Sequence, residues 1–351
     1  MNRIKRAVDY LGVSKLVVLG FLLVLMLSVF PLGINPGMIY ADCLVRVGMN
    51  GFLVLAMMIS IVCGAGLNFG LPIGILCGLF GGSIAVQFDW SGLGGFWGAC
   101  LVSIPVAIIA GYLYALLLNH VKGSEMTVGN YMAFSIVSLM SIFWLILPYS
   151  NPKIVWPITG VGLRTTMTLE DNFDKVLDNF LKIDFQEMGI LQDSANWKDF
   201  SVPTGLLLTF AVGCLLMWLF MKTKVGVIMR CSGVNPGFSK TLGVNNSRVR
   251  TIGIVASTVI AAIGINVYSQ SYGFYQFYSA PLMMAFPAMA AILIGGATPK
   301  KATVFNVVLG VILFQCLLTL GYPRGQCADQ CRQPFLRWSA SSCRTASFCM
   351  L

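Results

Sequence analysis

Charge is scarce in this sequence: Asp, Glu, Lys and Arg together supply only 10% of its 351 residues, against roughly 25% in an ordinary soluble domain. With 57% of residues hydrophobic, a water-soluble exterior cannot be assembled, because a protein surface needs polar cover. Histidine is nearly missing, His120 standing alone, and neither CxxC nor HExxH occurs. That excludes the usual zinc arrangements. No nucleophile–His–acid set stands out either, which weighs against a membrane enzyme. Eleven cysteines are present, but seven fall singly (Cys43, Cys63, Cys77, Cys100, Cys214, Cys231 and Cys316) and read as small packing hydrophobes. The other four crowd the end of the chain.

What the sequence does have is long apolar runs. A spanning helix needs about 20 mostly apolar residues, and such runs recur near 16–33, 47–65, 67–87, 96–118, 131–148, 203–221, 252–270, 282–297 and 302–320. The fold class is therefore all-α, a polytopic transmembrane bundle with nine spans visible. The basic N-terminus (Arg3, Lys5, Arg6, Lys15) precedes a first run too long for a signal-peptide core, so it reads as a retained span. The net charge of +10 invites a nucleic-acid reading. Yet the basic residues sit at segment ends, where membrane orientation explains them, and no nucleic-acid partner is expected.

The loops set the orientation. If the N-terminus is cytoplasmic, residues 149–202 fall outside and 222–251 inside. The outer loop carries eight acids, among them Glu170, Asp171, Asp174, Asp178 and Glu187, against five bases. The inner one carries Lys222, Lys224, Arg230, Lys240, Arg248 and Arg250 with no acid, and Lys300 and Lys301 close the eighth span. All three obey the positive-inside bias with one parity. Within the outer loop, Leu169 to Phe185 has near-helical spacing of Val176, Leu177, Phe180, Leu181 and Ile183. It reads as a solvated cap or a docking surface for a soluble binding protein.

Small and polar residues mark the membrane interior. Glycine recurs at Gly66, Gly70, Gly74, Gly78 and Gly82, a smooth ridge if helical. Pro72 interrupts the same segment and Asn68 lies at its start. A broken, polar span is tolerated where its backbone faces protein or a water-filled cavity. Asn68, Gly70, Pro72, Gly74, Gly78 and Asn266 are thus candidates for a translocation path, with tight helix packing as the equally good reading. Other intramembrane polar residues, such as Gln270 and Gln315, are neutral. Asp9, Arg46 and Glu125 lie at span ends. Ion-coupled pumps usually carry buried charge, so a proton- or sodium-driven mechanism is disfavoured and an uncharged, hydroxyl-rich solute is suggested.

In the basic loop, Gly233-Val234-Asn235-Pro236-Gly237 is turn chemistry. It leads to a short amphipathic helix, Phe238 to Leu242, stopped by Gly243. Such a helix can seat in a groove of a soluble partner. This loop, with Gly233, Asn235, Pro236, Gly243, Val244, Ser257, Ala261, Ala262 and Gly264, resembles that of ABC-transporter permeases of the ribose/galactoside/branched-chain amino-acid class. Residues 64–82 look like that family's broken span region, although Asn68 and Phe69 stand where the family usually has an acidic residue in Gly-Ile-Asp-Leu-Ser. The likeness runs over about residues 16–323. It implies a ten-span permease of a bacterial inner membrane that pairs with a second copy or a sister permease. Two ATPase subunits would bind at Gly233, Asn235, Pro236, Phe238, Leu242, Gly243 and Val244, and a solute-binding protein would dock outside. A sugar is the expected solute, with nucleosides or branched-chain amino acids as neighbours and a stand-alone carrier as the contrasting class. No cofactor is expected on this chain. No Gly-x4-Gly-Lys-Ser/Thr loop occurs, the nearest stretch Gly295 to Lys300 having the wrong spacing. ATP would be used by the partner.

The domain reading is a permease domain over 1–323 and an anomalous tail over 324–351. The tail turns abruptly to Arg324, Gln326, Cys327, Asp329, Cys331 and a Ser/Cys-rich end, so it cannot supply a tenth span. A shifted reading frame of Trp338 to Leu351 can spell an apolar ending. Frameshift and a genuine Cys-rich tail are the two readings.

Overall fold

A computed structural model describes residues 13–28, 36–121, 123–147, 149, 151, 154–155, 162–170, 172–179, 183–184, 201–299 and 301–321. The tail over 324–351, the basic N-terminal residues before Val13 and much of the 149–202 loop lie outside the described residues. Every apolar run read from the sequence has its helix: α1 (Val13–Ser28), α2 (Pro36–Val62), α3 (Leu71–Gln87), α4 (Gly92–His120), α5 (Glu125–Ile146), α7 (Thr204–Lys222), α10 (Asn246–Tyr272), α11 (Ala280–Ile294) and α12 (Val304–Gly321). Five of these are long and apolar enough to cross a membrane, and α3, α11 and α12 are shorter apolar helices. Between them lie α6 (Val176–Asn179), α8 (Lys224–Val234) and α9 (Pro236–Thr241). The chain is a multi-pass helical bundle.

Local chemistry sets the boundaries. Pro72 lies in the first turn of α3, where its missing N–H would have had no partner. Asn245 caps α10, its Oδ1 accepting from the Ser247 and Arg248 amides at 3.1 and 3.3 Å. Gly273 ends α10 in the left-handed region at φ 86°. The core is built by α2, α3 and α4 around α10, whose buried face holds Ser257, Thr258, Ala261, Ala262, Ile265 and Asn266. By contrast α5 and α7 expose rows of large apolar side chains, with Ile146 71% and Leu216 61% accessible. Lipid covers such faces at no cost. Exposed Phe88, Trp90 and Trp97 gather at one end of the bundle. At the other, Lys222 Nζ sits 3.4 Å over the Trp218 ring. Aromatics at both ends fit the headgroup levels of a bilayer.

The structure corrects two local expectations. The glycine ridge is shorter than its spacing promised. Gly66 lies in the α2–α3 connection at φ 73° and Gly70 caps α3, leaving Gly74, Gly78 and Gly82 on the helix. The Leu169 to Phe185 segment is not one helix. Among its described residues only α6 is helical, while β1 (Thr166–Thr168) pairs antiparallel with β4 (Phe274–Gln276), and β2 (Ile183–Asp184) with β3 (Ser201–Val202). The reason is visible in the backbone. Leu169 and Lys175 donate their amides to the Gly273 and Gln270 carbonyls at 2.9 and 2.8 Å, bonding the segment to the end of α10 at two points and breaking a continuous helical ladder. Here tertiary partners outbid local periodicity.

Candidate translocation path and coupling loop

Tight packing explains the small residues first. A Cβ on Gly74 would lie 2.7 Å from both Ala261 Cβ and the Thr258 carbonyl oxygen. One on Gly78 would overlap Ile265 and lie 2.5 Å from the Ala262 carbonyl. Gly70 meets the Tyr114 ring and Gly82 the Tyr275 ring in the same way, and Gly111 of α4 meets Thr258 Oγ1. Helices α3, α4 and α10 therefore approach backbone to backbone.

Two buried polar clusters are threaded through this packing. Asn68 Oδ1 accepts from the Gly70 amide (3.0 Å) and the Tyr114 hydroxyl (3.1 Å), while its Nδ2 donates to Ser257 Oγ (3.4 Å). Ser257 donates in turn to the Ala56 carbonyl at 2.8 Å. Nine residues further along α10, about 13 Å by helical rise, Asn266 Nδ2 donates to Ser103 Oγ (3.1 Å) and its Oδ1 accepts from Tyr275 (2.7 Å). The structure thus joins the candidates Asn68 and Gly70 in one cluster and sets Asn266 in another. The sequence reading missed Tyr114, Ser103 and Tyr275, because no periodicity marks which hydroxyl meets which amide.

The end of α10 beyond Asn266 holds a third cluster. Asp178 of α6 accepts from Ser271 Oγ at 2.8 Å and Gln270 Nε2 at 3.4 Å, while Gln270 Oε1 accepts from the Leu177 amide at 3.1 Å. Burial pushes the Asp178 carboxyl above the usual carboxylate range, against the hydrogen bonds from Ser271 and Gln270 and the nearby Lys175 charge. The polar groups on this axis differ sharply from a cleft of about 690 Å³ between α1, α2, α7 and α12. Val47, Phe210, Cys214, Ile312 and Cys316 help line that cleft, and such a lining suits lipid rather than a polar solute.

At the opposite end, the basic loop is more structured than its composition showed. Helix α8 starts at Thr223, whose Oγ1 accepts from the Gly226 amide at 3.4 Å. Asn235 caps α9, its Oδ1 accepting from the Phe238 amide at 3.1 Å, and Pro236 occupies the first turn. Gly243, at φ 75°, reverses the chain after Leu242, and the Val244 amide closes the turn on the Ser239 carbonyl at 3.0 Å. Asn246 bonds back to the Pro236 carbonyl at 2.8 Å and accepts from Ser239 Oγ. The six-residue α9 is thereby held rigidly while Phe238 (55%) and Leu242 (61%) stand exposed. Gly233 is a contact point: its Cα lies 3.0 Å from where a Cβ on Gly64 would sit, and a Cβ of its own would overlap the Val62 carbonyl. The loop rests on the α2–α3 break, four residues from Asn68. Nearby, Arg250 pairs with Glu125 of α5 at 3.1 Å, a partner for Glu125 that its place at a span end did not disclose. Among the described residues no group of His, Cys, Asp and Glu could hold a metal ion.

Small-residue helix contacts, buried polar clusters and a rigid amphipathic loop helix mark a multi-pass membrane bundle, and comparison with known proteins gives its class. The family model described as the branched-chain amino acid transport system permease component matches residues 39–328, and the chain belongs to that family of ABC-transporter permeases. Among curated proteins, the nucleoside ABC transporter permease protein NupC of Lactococcus lactis is 29% identical over 126 residues, 35% of this chain and 39% of that protein. The probable branched-chain amino acid transport permease protein LivH of Methanocaldococcus jannaschii is 26% identical over 189 residues, 46% of this chain and 60% of that protein. The guanosine ABC transporter permease protein NupQ of Bacillus subtilis is 26% identical over 141 residues, 40% of this chain and 42% of that protein. The chain thus spans less than two thirds of the length of each of these relatives. No solved structure matches it significantly.

Proposed function

We propose that this chain is the membrane-spanning subunit of an ATP-driven importer in a bacterial inner membrane, and that its solute is a nucleoside. The observation that carries the importer reading is α9. A six-residue helix, fixed at both ends by Asn235, Asn246 and Gly243, holds two large apolar side chains out of the bundle. An isolated helix of this length is unstable, so a chain gains nothing from building it except a shaped surface for a partner. That partner would be an ATPase subunit gripping the basic loop on the cytoplasmic side, with the N-terminus on the same side. ATP stays with the partner, and this chain needs no cofactor of its own. A second permease copy or a sister permease would complete the path, and a solute-binding protein would dock at the far end.

Two features favour a nucleoside over the free sugar that the neutral path alone suggested, while the hydroxyls that both carry do not discriminate. The relatives include permeases named for nucleosides and guanosine. A nucleoside keeps the hydroxyls that amide and hydroxyl clusters such as Asn68–Ser257 and Asn266–Ser103 can bind. The path also holds flat aromatic faces for a base. A branched-chain amino acid is the second reading, favoured by the likeness to LivH. Proteoliposomes carrying the chain with its ATPase, its sister subunit and its binding protein decide the matter. Uptake of labelled guanosine, outcompeting ribose and leucine and abolished by Phe238→Ser with Leu242→Ser, is the expected result. Uptake by this chain alone would replace the importer with a stand-alone carrier.

A further inference from the structure

Trp144, near the end of α5, is fully buried, and its indole N–H has no acceptor. Among the described residues at this end, Tyr149 donates to Ser83 Oγ at 3.0 Å, Asn151 to the Val86 carbonyl at 3.1 Å, and Tyr275 to Asn266 at 2.7 Å, so these groups are engaged elsewhere. The Trp144 ring lies between Phe80 of α3, 6.1 Å between centroids, and Phe277 just after β4, at 5.2 Å, with Tyr275 6.1 Å beyond Phe277. This aromatic nest continues the axis that runs along α10 from Ser257 to Asn266. It lies at the end bearing the 149–179 segment, the end that faces a docking binding protein in the importer reading. Loop backbone is bonded to the residues of this nest. The Leu163 amide donates to the Trp144 carbonyl at 3.0 Å, the Phe277 amide to the Thr165 carbonyl at 3.2 Å, and the Tyr278 hydroxyl to the Leu163 carbonyl at 3.2 Å.

A buried donor left without an acceptor is costly and rare in folded proteins. An aromatic ring without the N–H would pack there without that cost. Ligand sites have the composition seen here, apolar and aromatic walls with a few aimed polar groups, and indole and phenyl faces stack on any flat base. We propose that the Phe80–Trp144–Phe277 nest is the solute subsite at this end of the path, and that it takes a nucleobase. The rings stack on the base, the Trp144 N–H donates to an in-plane carbonyl or ring nitrogen, and the Asn266–Tyr275 pair lies beside the sugar. Leucine and ribose both carry acceptors but neither offers a π face, so of the three only the nucleoside meets both demands. This assignment rests on the importer reading and narrows it. Trp144 is a specificity-determining residue in it.

The test uses the assembled transporter in proteoliposomes and measures uptake of guanosine, ribose and leucine by Trp144→Phe. A variant carrying benzothienylalanine at position 144 keeps the bicyclic shape and lacks only the N–H, so it tests the same bond should Trp144→Phe misfold. The expected result is a KM for guanosine raised about tenfold in both variants, the loss of roughly one hydrogen bond, with the thermal stability of the benzothienylalanine variant equal to or above that of the parent. An unchanged KM in both variants overturns the subsite, since Trp144 then only packs α5 against the bundle. If the parent moves leucine or ribose and not guanosine, the nucleoside reading itself has failed. The importer reading survives that outcome, and the nucleobase assignment falls.

Discussion

Substituting Gly74 by alanine should separate helix packing from every other use of the glycine-rich segment. The added Cβ would meet Ala261 Cβ and the Thr258 carbonyl oxygen at 2.7 Å, while carbon contacts are favourable only at about 3.5–4.0 Å. One partner is main chain, so no rotamer change relieves it. Helices α3 and α10 must separate by about 0.7 Å or more, loosening their packing above and below. Overpacking of this kind costs about 1–3 kcal/mol, while alanine returns up to about 1 kcal/mol of helix propensity. Gly94→Ala is the matched control, because that glycine lies in α4 with nothing within 4 Å of its would-be Cβ. It receives the propensity gain without the clash. Thermal unfolding of both variants in detergent should place Gly74→Ala several degrees below Gly94→Ala. Coincident transitions would mean that α3 and α10 do not meet along this ridge, and the packing account would be wrong.

Further expectations follow from single contacts. Asn68→Ala leaves the Tyr114 hydroxyl and the Gly70 amide without their acceptor, which should cost about 2 kcal/mol in the same unfolding assay. Gly243→Ala must hold alanine at φ 75°, a strain of about 1–2 kcal/mol. Proteolysis within the 236–244 turn should therefore quicken while the bundle stays folded. Asp178 is held above its ordinary carboxyl pKa by burial, with Ser271, Gln270 and Lys175 opposing and Asp174 reinforcing the shift. Its contribution to stability is therefore full below the ordinary carboxyl range and is lost as pH rises through the raised value. Amide-exchange protection over residues 172–179, corrected for the intrinsic pH dependence of exchange, should fall as pH rises from the ordinary carboxyl range through the raised value, and that fall should vanish in Asp178→Asn.

Much of the bundle was legible in the sequence because lipid leaves few options: an apolar run of sufficient length must be a helix. The boundaries also followed where side chains act on their own neighbours, as with Asn235 and Gly243, whereas Pro72, read as an interruption, opens α3. Legibility failed where the partner is distant in sequence. Nothing near Asn68 announces that Tyr114 and Ser257 complete its bonds, nor does Leu169 to Phe185 reveal that its amides belong to the end of α10. Helix α8 was missed because Lys224 to Val234 mixes glycine with basic and apolar residues, and its start depends on one bond from Thr223. The orphan N–H of Trp144 lay furthest from view, since only coordinates show that a donor has no acceptor.

Orientation in the bilayer is the claim on which the rest depends, and Cys231 offers a native probe of it. This thiol is exposed on α8, within the basic loop. In a background where the remaining cysteines are serine, a membrane-impermeant maleimide applied to intact cells should leave Cys231 unmodified and should label it once the membrane is permeabilised. Labelling in intact cells would put the loop outside, beyond the reach of any cytoplasmic ATPase, and would contradict the account.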